Sequence, residues 1–222
     1  MHLSLRGIVT QEFDKEYWET HWQQANAHGS EEGVFPNPHL ARETGSLAKG
    51  TALDAGCGEG AEAIWLATEG WEVSAVDISS EALAHAAERL RRFGLPSDHV
   101  QWIEADLSVW EPGTRFDLVT TQYAHPAMPQ LEFYERISNW VAPQGTLLII
   151  GHLEPQNVVG YGQASYAGKT PIEVTADAAS ISALFAGPKW DIITATEHSR
   201  TVTRGGGREA QLRDVAVRAT RV

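Results

Sequence analysis

Short apolar runs alternate with longer amphipathic stretches from about residue 50 onward. This alternation is typical of a parallel sheet whose strands are joined by crossover helices. The most apolar run, 145–150, suits a central strand that is covered on both faces. The pattern predicts strands at 51–54, 71–78, 99–105, 116–122 and 145–150. It predicts helices from Ala61 to a stop at Gly70, from Ser79 or Ser80 to a stop near Gly94, and from about Gln130 to Val141.

The last third of the chain changes character. Residues 153–174 are rich in Gly, Pro and Tyr, and the stretch is long enough to predict a functional loop. A helix is expected at 176–185, with Thr175 as a cap. Strands at 190–198 and 211–219 flank three consecutive glycines and must therefore run antiparallel. The predicted fold is α/β, Rossmann-like and doubly wound, with a mostly parallel seven-stranded sheet that ends in an antiparallel C-terminal hairpin.

Composition narrows the classes of partner. The chain has 222 residues, enough for one domain, and its formal net charge of −12 is unfavourable for binding nucleic acid or an anionic membrane. Its one cysteine, Cys57, excludes a disulfide framework within the chain. No metal is expected, because His21, His28 and His39 lack metal-ligand spacing. No signal-peptide pattern is present at the N-terminus, so a cytoplasmic location is expected. The oligomeric state is left open.

A glycine-rich turn follows the first predicted strand, with the sequence DAGCGEG at 54–60. Glycines here let the backbone turn tightly and pass close to a ligand. The pattern Gly56-x-Gly58-x-x-Ala61 also satisfies a dinucleotide fingerprint, and a plain strand-to-helix turn is the simplest interpretation. Asp54 favours S-adenosylmethionine (SAM) over NAD, because a carboxylate repels a pyrophosphate but suits an ammonium and a sulfonium.

Two more carboxylates end predicted strands. Asp77 closes the second strand, where it can accept both hydroxyls of a ribose, although a helix-capping aspartate is the alternative. Asp106 closes the third strand, where it can accept from an adenine amino group, although an ordinary loop aspartate is equally compatible.

The motifs DAGCGEG, VDIS and EADL, in this order and spacing, resemble the class I SAM-dependent methyltransferases over about residues 50–150. The resemblance implies that Asp54 and the glycines hold the methionine moiety, Asp77 the ribose, and Asp106 with Leu107 the adenine. The motif YWExxW at 17–22 and the segment FPNP at 35–38 are similar to small-molecule methyltransferases of the tellurite-resistance and thiopurine type. This second similarity implies an aromatic arm near the cofactor, Trp22 included, whose rings would cover the sulfonium, whereas packing of the tryptophans on the core is the alternative. The expected cofactor-binding residues are Trp22, Asp54, Ala55, Gly56, Gly58, Asp77, Ile78, Asp106, Leu107 and Gln122.

Candidate acceptor-site residues follow the fourth and fifth strands. Tyr123, His125 and His152 are expected to bind substrate, and the two histidines are candidate general bases or pocket-lining groups. The motif (Asn/Asp)-Pro-Pro-(Tyr/Phe) of DNA amino-methyltransferases is missing after the fourth strand, which argues against base methylation.

The predicted organisation is a single domain with three parts. Residues 1–49 form a helical lid, 50–152 the SAM-binding core, and 153–222 a substrate loop and hairpin. The predicted function is SN2 methyl transfer to an O, S or N atom of a small, aromatic or apolar molecule. A non-catalytic SAM-binding module and an NAD-dependent oxidoreductase are the alternatives.

Overall fold

A computed structural model describes residues 13–26, 36–153, 176–204 and 208–222. The N-terminal helices in these ranges are α1 Lys15–Asn26 and α2 Pro38–Thr44. The central units are β1 Thr51–Ala55, α3 Ala61–Thr68, β2 Glu72–Asp77, α4 Ser80–Arg92, β3 Val100–Glu104, β4 Phe116–Gln122, α5 Gln130–Ser138 and β5 Val141–His152. The C-terminal elements are α6 Ala178–Leu184, β6 Trp190–Arg204 and β7 Arg208–Arg221.

The strands form one seven-stranded sheet in the order β3-β2-β1-β4-β5-β7-β6. The first five strands pair in parallel, and β7 runs antiparallel to both β5 and β6. The strand order reverses between β1 and β4, which is where open α/β sheets bind their ligands. The predicted fold class is confirmed.

Alternate residues of each central strand pack on opposite faces of the sheet. Leu147 and Ile149 of β5 join a cluster with α5 and α6, whereas Leu148 and Ile150 join a cluster with α2, α3 and α4. Helices therefore cover both faces, as the continuously apolar strand predicts. The two apolar layers hold the carboxyl ends of β1, β2 and β4 at one edge of the sheet.

Several boundaries differ from the predicted ones. β5 begins at Val141 rather than 145, because Val141 pairs with Phe116 across an irregularity and the strand continues past Gln144, whose φ is +64°. Consequently α5 ends at Ser138. The hairpin strands are longer than expected, since their polar outer residues pair with each other up to Arg204 and Arg208. The cap on α6 is Asp177, whose side chain accepts from the Ser180 amide. Thr175, the loop at 154–175 and the turn at 205–207 lie outside the described residues.

No helix within the described ranges is both long and apolar enough to cross a membrane.

Replacing Phe133 with alanine tests the core between α5 and the sheet. Phe133 is fully buried, so Phe133→Ala should lower the free energy of unfolding in urea by about 3–5 kcal/mol. Phe93→Ala is the matched control, because Phe93 is 49% exposed and its loss should change stability by less than about 0.5 kcal/mol. Equal effects of the two substitutions would contradict the packing described above.

Candidate active site

The loop between β1 and α3 needs glycine at three positions. Gly56, Gly58 and Gly60 all have positive φ, which side-chain-bearing residues rarely adopt. A Cβ on Gly56 would lie 2.3 Å from the Cβ of Ala124, and one on Gly58 would lie 3.0 Å from the indole of Trp22. The glycines therefore let the loop pass close to both the β4 end and α1.

Asp54 is a buried carboxylate beside this loop. It is 2% exposed and accepts a backbone hydrogen bond from Ala63, but its Oδ2 has no partner among the described residues. Burial raises the pKa of Asp54 well above its usual range, and the nearby charges of Glu62 and Asp77 raise it further. Buried polar atoms are normally hydrogen-bonded, so the unpaired oxygen is suited to a ligand donor.

Asp77 is held in place by the backbone on either side of it. Its Oδ2 accepts from the Gly58 amide and its Oδ1 from the Ser79 amide, each at 2.9 Å. Burial raises the pKa of Asp77, whereas these hydrogen bonds oppose the shift. The N-cap of α4 is Ser79, whose hydroxyl accepts from the Ala82 amide, so Asp77 is not the helix cap. Asp77 and its neighbour Ile78 both line the cavity.

Glu19 of α1 is a contact that sequence analysis missed. Its carboxylate accepts from the Ser80 and Glu81 amides and from the Ser79 and Ser80 hydroxyls, at 2.8–3.2 Å. Partial burial opposes ionisation, but these hydrogen bonds leave the pKa of Glu19 below its ordinary value. A negative charge at the N-terminus of a helix is favourable, so Glu19 ties α1 to α4 next to Asp77.

The remaining predicted cofactor residues lie around the same space. Asp106, Leu107, Trp22 and Gln122 line the cavity, and Asp106 also accepts from the Ser108 amide at 2.8 Å. Both amide atoms of Gln122 are buried without a partner among the described residues. Ala55 does not line the cavity: its side chain is buried in the core under the sheet.

Tyr123 and His152 form a stacked pair on the other side of the cavity. Tyr123 has a φ of +54°, and its hydroxyl accepts from Asn37 at 2.8 Å and from Arg200 at 3.3 Å. Its ring lies 4.1 Å from that of His152. Burial lowers the pKa of His152 to about 4, and the charges of His125 and Arg200 act in the same direction. His152 is therefore neutral near pH 7.

His125 lies next to this pair and under the chain that leads into α1. Its ring is 6.4 Å from that of His152 and 5.8 Å from that of Phe13. The pKa of His125 is lowered by burial, although a hydrogen bond to Gln130 opposes the shift. Neither Phe13 nor Gln130 was a candidate at the sequence level.

One cavity of about 410 Å³ is lined both by the predicted cofactor residues and by Tyr123, His125 and His152. It is lined by Phe13, Trp18, His21, Trp22, Asp54, Gly56, Cys57, Gly58, Glu59, Gly60, Ala61, Glu62, Asp77, Ile78, Arg89, Asp106, Leu107, Gln122, Tyr123, Ala124, His125, Pro126, Ala127 and His152. Of the predicted lid, α1 and the residues just before it contribute four aromatic or imidazole groups, whereas residues 154–174 lie outside the described residues. In the described part of the chain, no three His, Cys, Asp or Glu side chains are grouped closely enough to hold a metal ion.

Comparison with known proteins identifies the class. A family model described as a methyltransferase domain matches residues 52–145. A SAM-dependent methyltransferase from Anabaena variabilis, of solved structure, aligns over 99% of this chain and 100% of its own, with a TM-score of 0.65 and 15% identity. Residues 52–145 therefore match a methyltransferase domain, and the sheet has the fold of the class I methyltransferases, whose cofactor is SAM. The family model that matches is a methyltransferase domain rather than an NAD-dependent oxidoreductase.

Curated relatives match only part of the chain. The probable thiol methyltransferase 2 of Arabidopsis thaliana is 34% identical over 105 residues, which are 46% of this chain and 45% of that protein. The ribosomal RNA small subunit methyltransferase C of Alcanivorax borkumensis is 45% identical over 73 residues, or 28% of this chain and 22% of that protein. The chain thus spans less than half the length of either relative.

Asp77→Asn tests the predicted ribose contact. The amide lacks the charge and the second acceptor oxygen of the carboxylate, so the dissociation constants of SAM and of S-adenosylhomocysteine should both rise at least about tenfold, or about 1.4 kcal/mol. Calorimetric titration measures both constants, and Asp98→Asn, at an exposed position, is the control. Unchanged affinity in a folded Asp77→Asn protein would remove the ribose assignment.

His152→Gln tests the burial of a neutral imidazole. Between about pH 4 and about pH 6.5 the unfolded chain binds a proton at His152 that the folded chain does not, so this residue makes stability fall as pH falls across that window. Across that window the unfolding free energy of His152→Gln should change by up to about 3 kcal/mol less than that of wild type. The exposed His99→Gln is the control. Parallel curves for wild type and His152→Gln would contradict the neutral, buried state.

Proposed function

We propose that this protein transfers the methyl group of SAM to an O, S or N atom of a small molecule. The observation that carries the proposal is the continuity of the cavity from the strand-end carboxylates to His125 and His152. Its volume of about 410 Å³ lies within the range of about 300–1,000 Å³ that is typical of small-molecule sites. A cofactor bound at the carboxylates and an acceptor bound at the two histidines would meet inside this cavity.

The cofactor side fits SAM in its unpaired polar atoms. Asp54 Oδ2 and the Gln122 amide are buried without partners among the described residues, and they suit the ammonium and carboxylate of the methionine moiety. Asp77 and Asp106 would hold the ribose and the adenine. When bound, SAM supplies an electrophilic methyl group on a sulfonium, and Trp22 lies against the glycine loop where an aromatic face favours a cation.

The acceptor side is built from uncharged groups. Among the described lining residues, every carboxylate and guanidinium belongs to a residue in the sequence range Asp54 to Asp106. The lining residues that precede Asp54 or follow Asp106 in the sequence are aromatic, aliphatic, amide or imidazole. This lining supports a neutral aromatic or apolar acceptor. The net charge of −12 is unfavourable for an RNA substrate such as the one that the name of the Alcanivorax relative indicates.

Catalysis in this proposal rests on positioning and on proton removal. In-line attack on the methyl group requires that the acceptor be held against it and that water be excluded, which the rings of Phe13, Trp18 and Trp22 support. The two neutral histidines can each accept a proton from an O–H, S–H or N–H acceptor. A non-catalytic SAM-binding module remains the alternative outcome.

His125→Ala tests this function together with its catalytic base. Wild type should bind SAM and S-adenosylhomocysteine in calorimetry and transfer a labelled methyl group to at least one of thiophenol, phenol, aniline or butanethiol. His125→Ala should lower kcat about 100-fold or more toward that acceptor. It should leave SAM affinity unchanged, and the exposed His99→Ala should behave as wild type.

Three outcomes would contradict the proposal in different ways. Binding of SAM without transfer to any acceptor would indicate a non-catalytic module. Transfer to ribosomal RNA alone would contradict the small-molecule acceptor. Equal loss of SAM affinity and kcat in His125→Ala would assign that residue to structure rather than to proton removal.

A further inference from the structure

A buried glutamine beside His125 has no role in the site described above. Gln130 is the first residue of α5, where polar side chains usually face solvent, yet it is 3% exposed. Its side chain turns back toward the loop after β4 and contacts that loop at two points. A buried amide is stable only when its donors and its acceptor are satisfied, so the partners of each Gln130 atom are informative.

The hydrogen bonds of Gln130 determine which of its side-chain atoms is which. Gln130 Nε2 lies 3.0 Å from the Ala124 carbonyl oxygen. A carbonyl can only accept, so the group facing it is the amide NH₂ rather than the amide oxygen. The Tyr134 hydroxyl, one turn along α5, is also hydrogen-bonded to Gln130. The amide oxygen is therefore directed to His125, with Oε1 at 3.3 Å from Nδ1.

This orientation determines the tautomer of His125. Because Oε1 can only accept, Nδ1 must carry the hydrogen, and in a neutral imidazole the lone pair is then on Nε2. A histidine whose second nitrogen is held in this way is pre-organised as a base. We infer that Gln130 is a positioning residue that holds His125 in the Nδ1-protonated tautomer, so that Nε2 accepts the proton of the methyl acceptor.

This inference rests on the proposed function, and its chemistry balances. The bond from the acceptor atom to the methyl carbon forms while the methyl–sulfur bond breaks, and the electron pair of the broken bond stays on sulfur. The acceptor's proton passes to Nε2 of His125, which becomes an imidazolium and later loses that proton to solvent. Gln130 takes no part in bond making; it keeps Nδ1–H occupied and the ring in one orientation.

Among the described residues, the other titratable groups near His125 contact its neighbours. His152 on β5 faces it ring to ring, and Tyr134 on α5 contacts Gln130 itself. Asp214 on β7 and Arg200 on β6 act electrostatically on His152. A negative charge introduced at position 130 would therefore act on His125 most directly.

The direct test is nitrogen NMR of the histidine rings in the full chain, with the His125 signals assigned from a His125→Gln sample. Wild type should show hydrogen on Nδ1 and a lone pair on Nε2. In Gln130→Leu this preference should be lost, because nothing at position 130 accepts from Nδ1. In Gln130→Glu the carboxylate should stabilise the imidazolium and raise the pKa of His125 by about one unit or more. The exposed Gln101→Glu should leave it unchanged.

Kinetics then separates positioning from structure. Gln130→Leu should lower kcat about tenfold or more while the SAM dissociation constant and the acceptor KM change little. A wild-type signal with hydrogen on Nε2, or an unchanged His125 signal and kcat in both Gln130 variants, would overturn the inference. If wild type transfers no methyl group, the proposed function fails, and the NMR spectrum still decides the tautomer.

Discussion

The buried carboxylate of Asp54 is the constraint on which the cofactor side depends. It lies at the end of β1, near the carboxylates of Glu62 and Asp77, with one oxygen unpaired among the described residues. An unsatisfied buried polar group costs about 1–3 kcal/mol, and neighbouring like charges add to that cost. A cationic ligand relieves both, since it brings donors and opposite charge. The three glycines line the same cavity as Asp54, so the loop and the buried carboxylate face one ligand space.

Much of the fold follows from local pattern, and the exceptions have physical causes. β4 has the bounds that its apolar run predicts, and the parallel order follows from strands that alternate with helices. β5 begins earlier than expected because Pro143 and Gln144 resemble a turn, although the chain continues as a strand across an irregularity. The outer hairpin was underestimated because β6 is an edge strand, where polar residues such as Glu197 and Arg200 carry no apolar alternation.

The candidate site, like the fold, has some features that local sequence patterns predict and others that they do not. Carboxylates at strand ends and glycines after β1 are local signals, and they lie together because parallel strands end at one edge. Glu19 and Gln130 act through contacts that no spacing encodes: Glu19 accepts from residues about 60 positions along the chain, and Gln130 is a buried amide at a helix start. In the motif at 17–22 the aromatic residues suggest a cofactor contact, whereas Glu19 between them ties α1 to α4. Local sequence patterns therefore do not predict these tertiary hydrogen bonds of polar side chains.

The extra length of the hairpin brings a stabilising contact to the strained backbone of Tyr123. A residue with a side chain at a φ of +54° costs on the order of 1–3 kcal/mol and persists only when its surroundings hold it. Asn37 before α2 and Arg200 on β6 both donate to its hydroxyl, and Arg200 is itself paired at 2.5 Å with the fully buried Asp214 of β7. Arg200 lies beyond the predicted end of β6 at 198, so a hairpin of the expected length would not reach this ring. The extra strand length thus supports a strained tyrosine, and through it the stacked His152, at the acceptor side of the cavity.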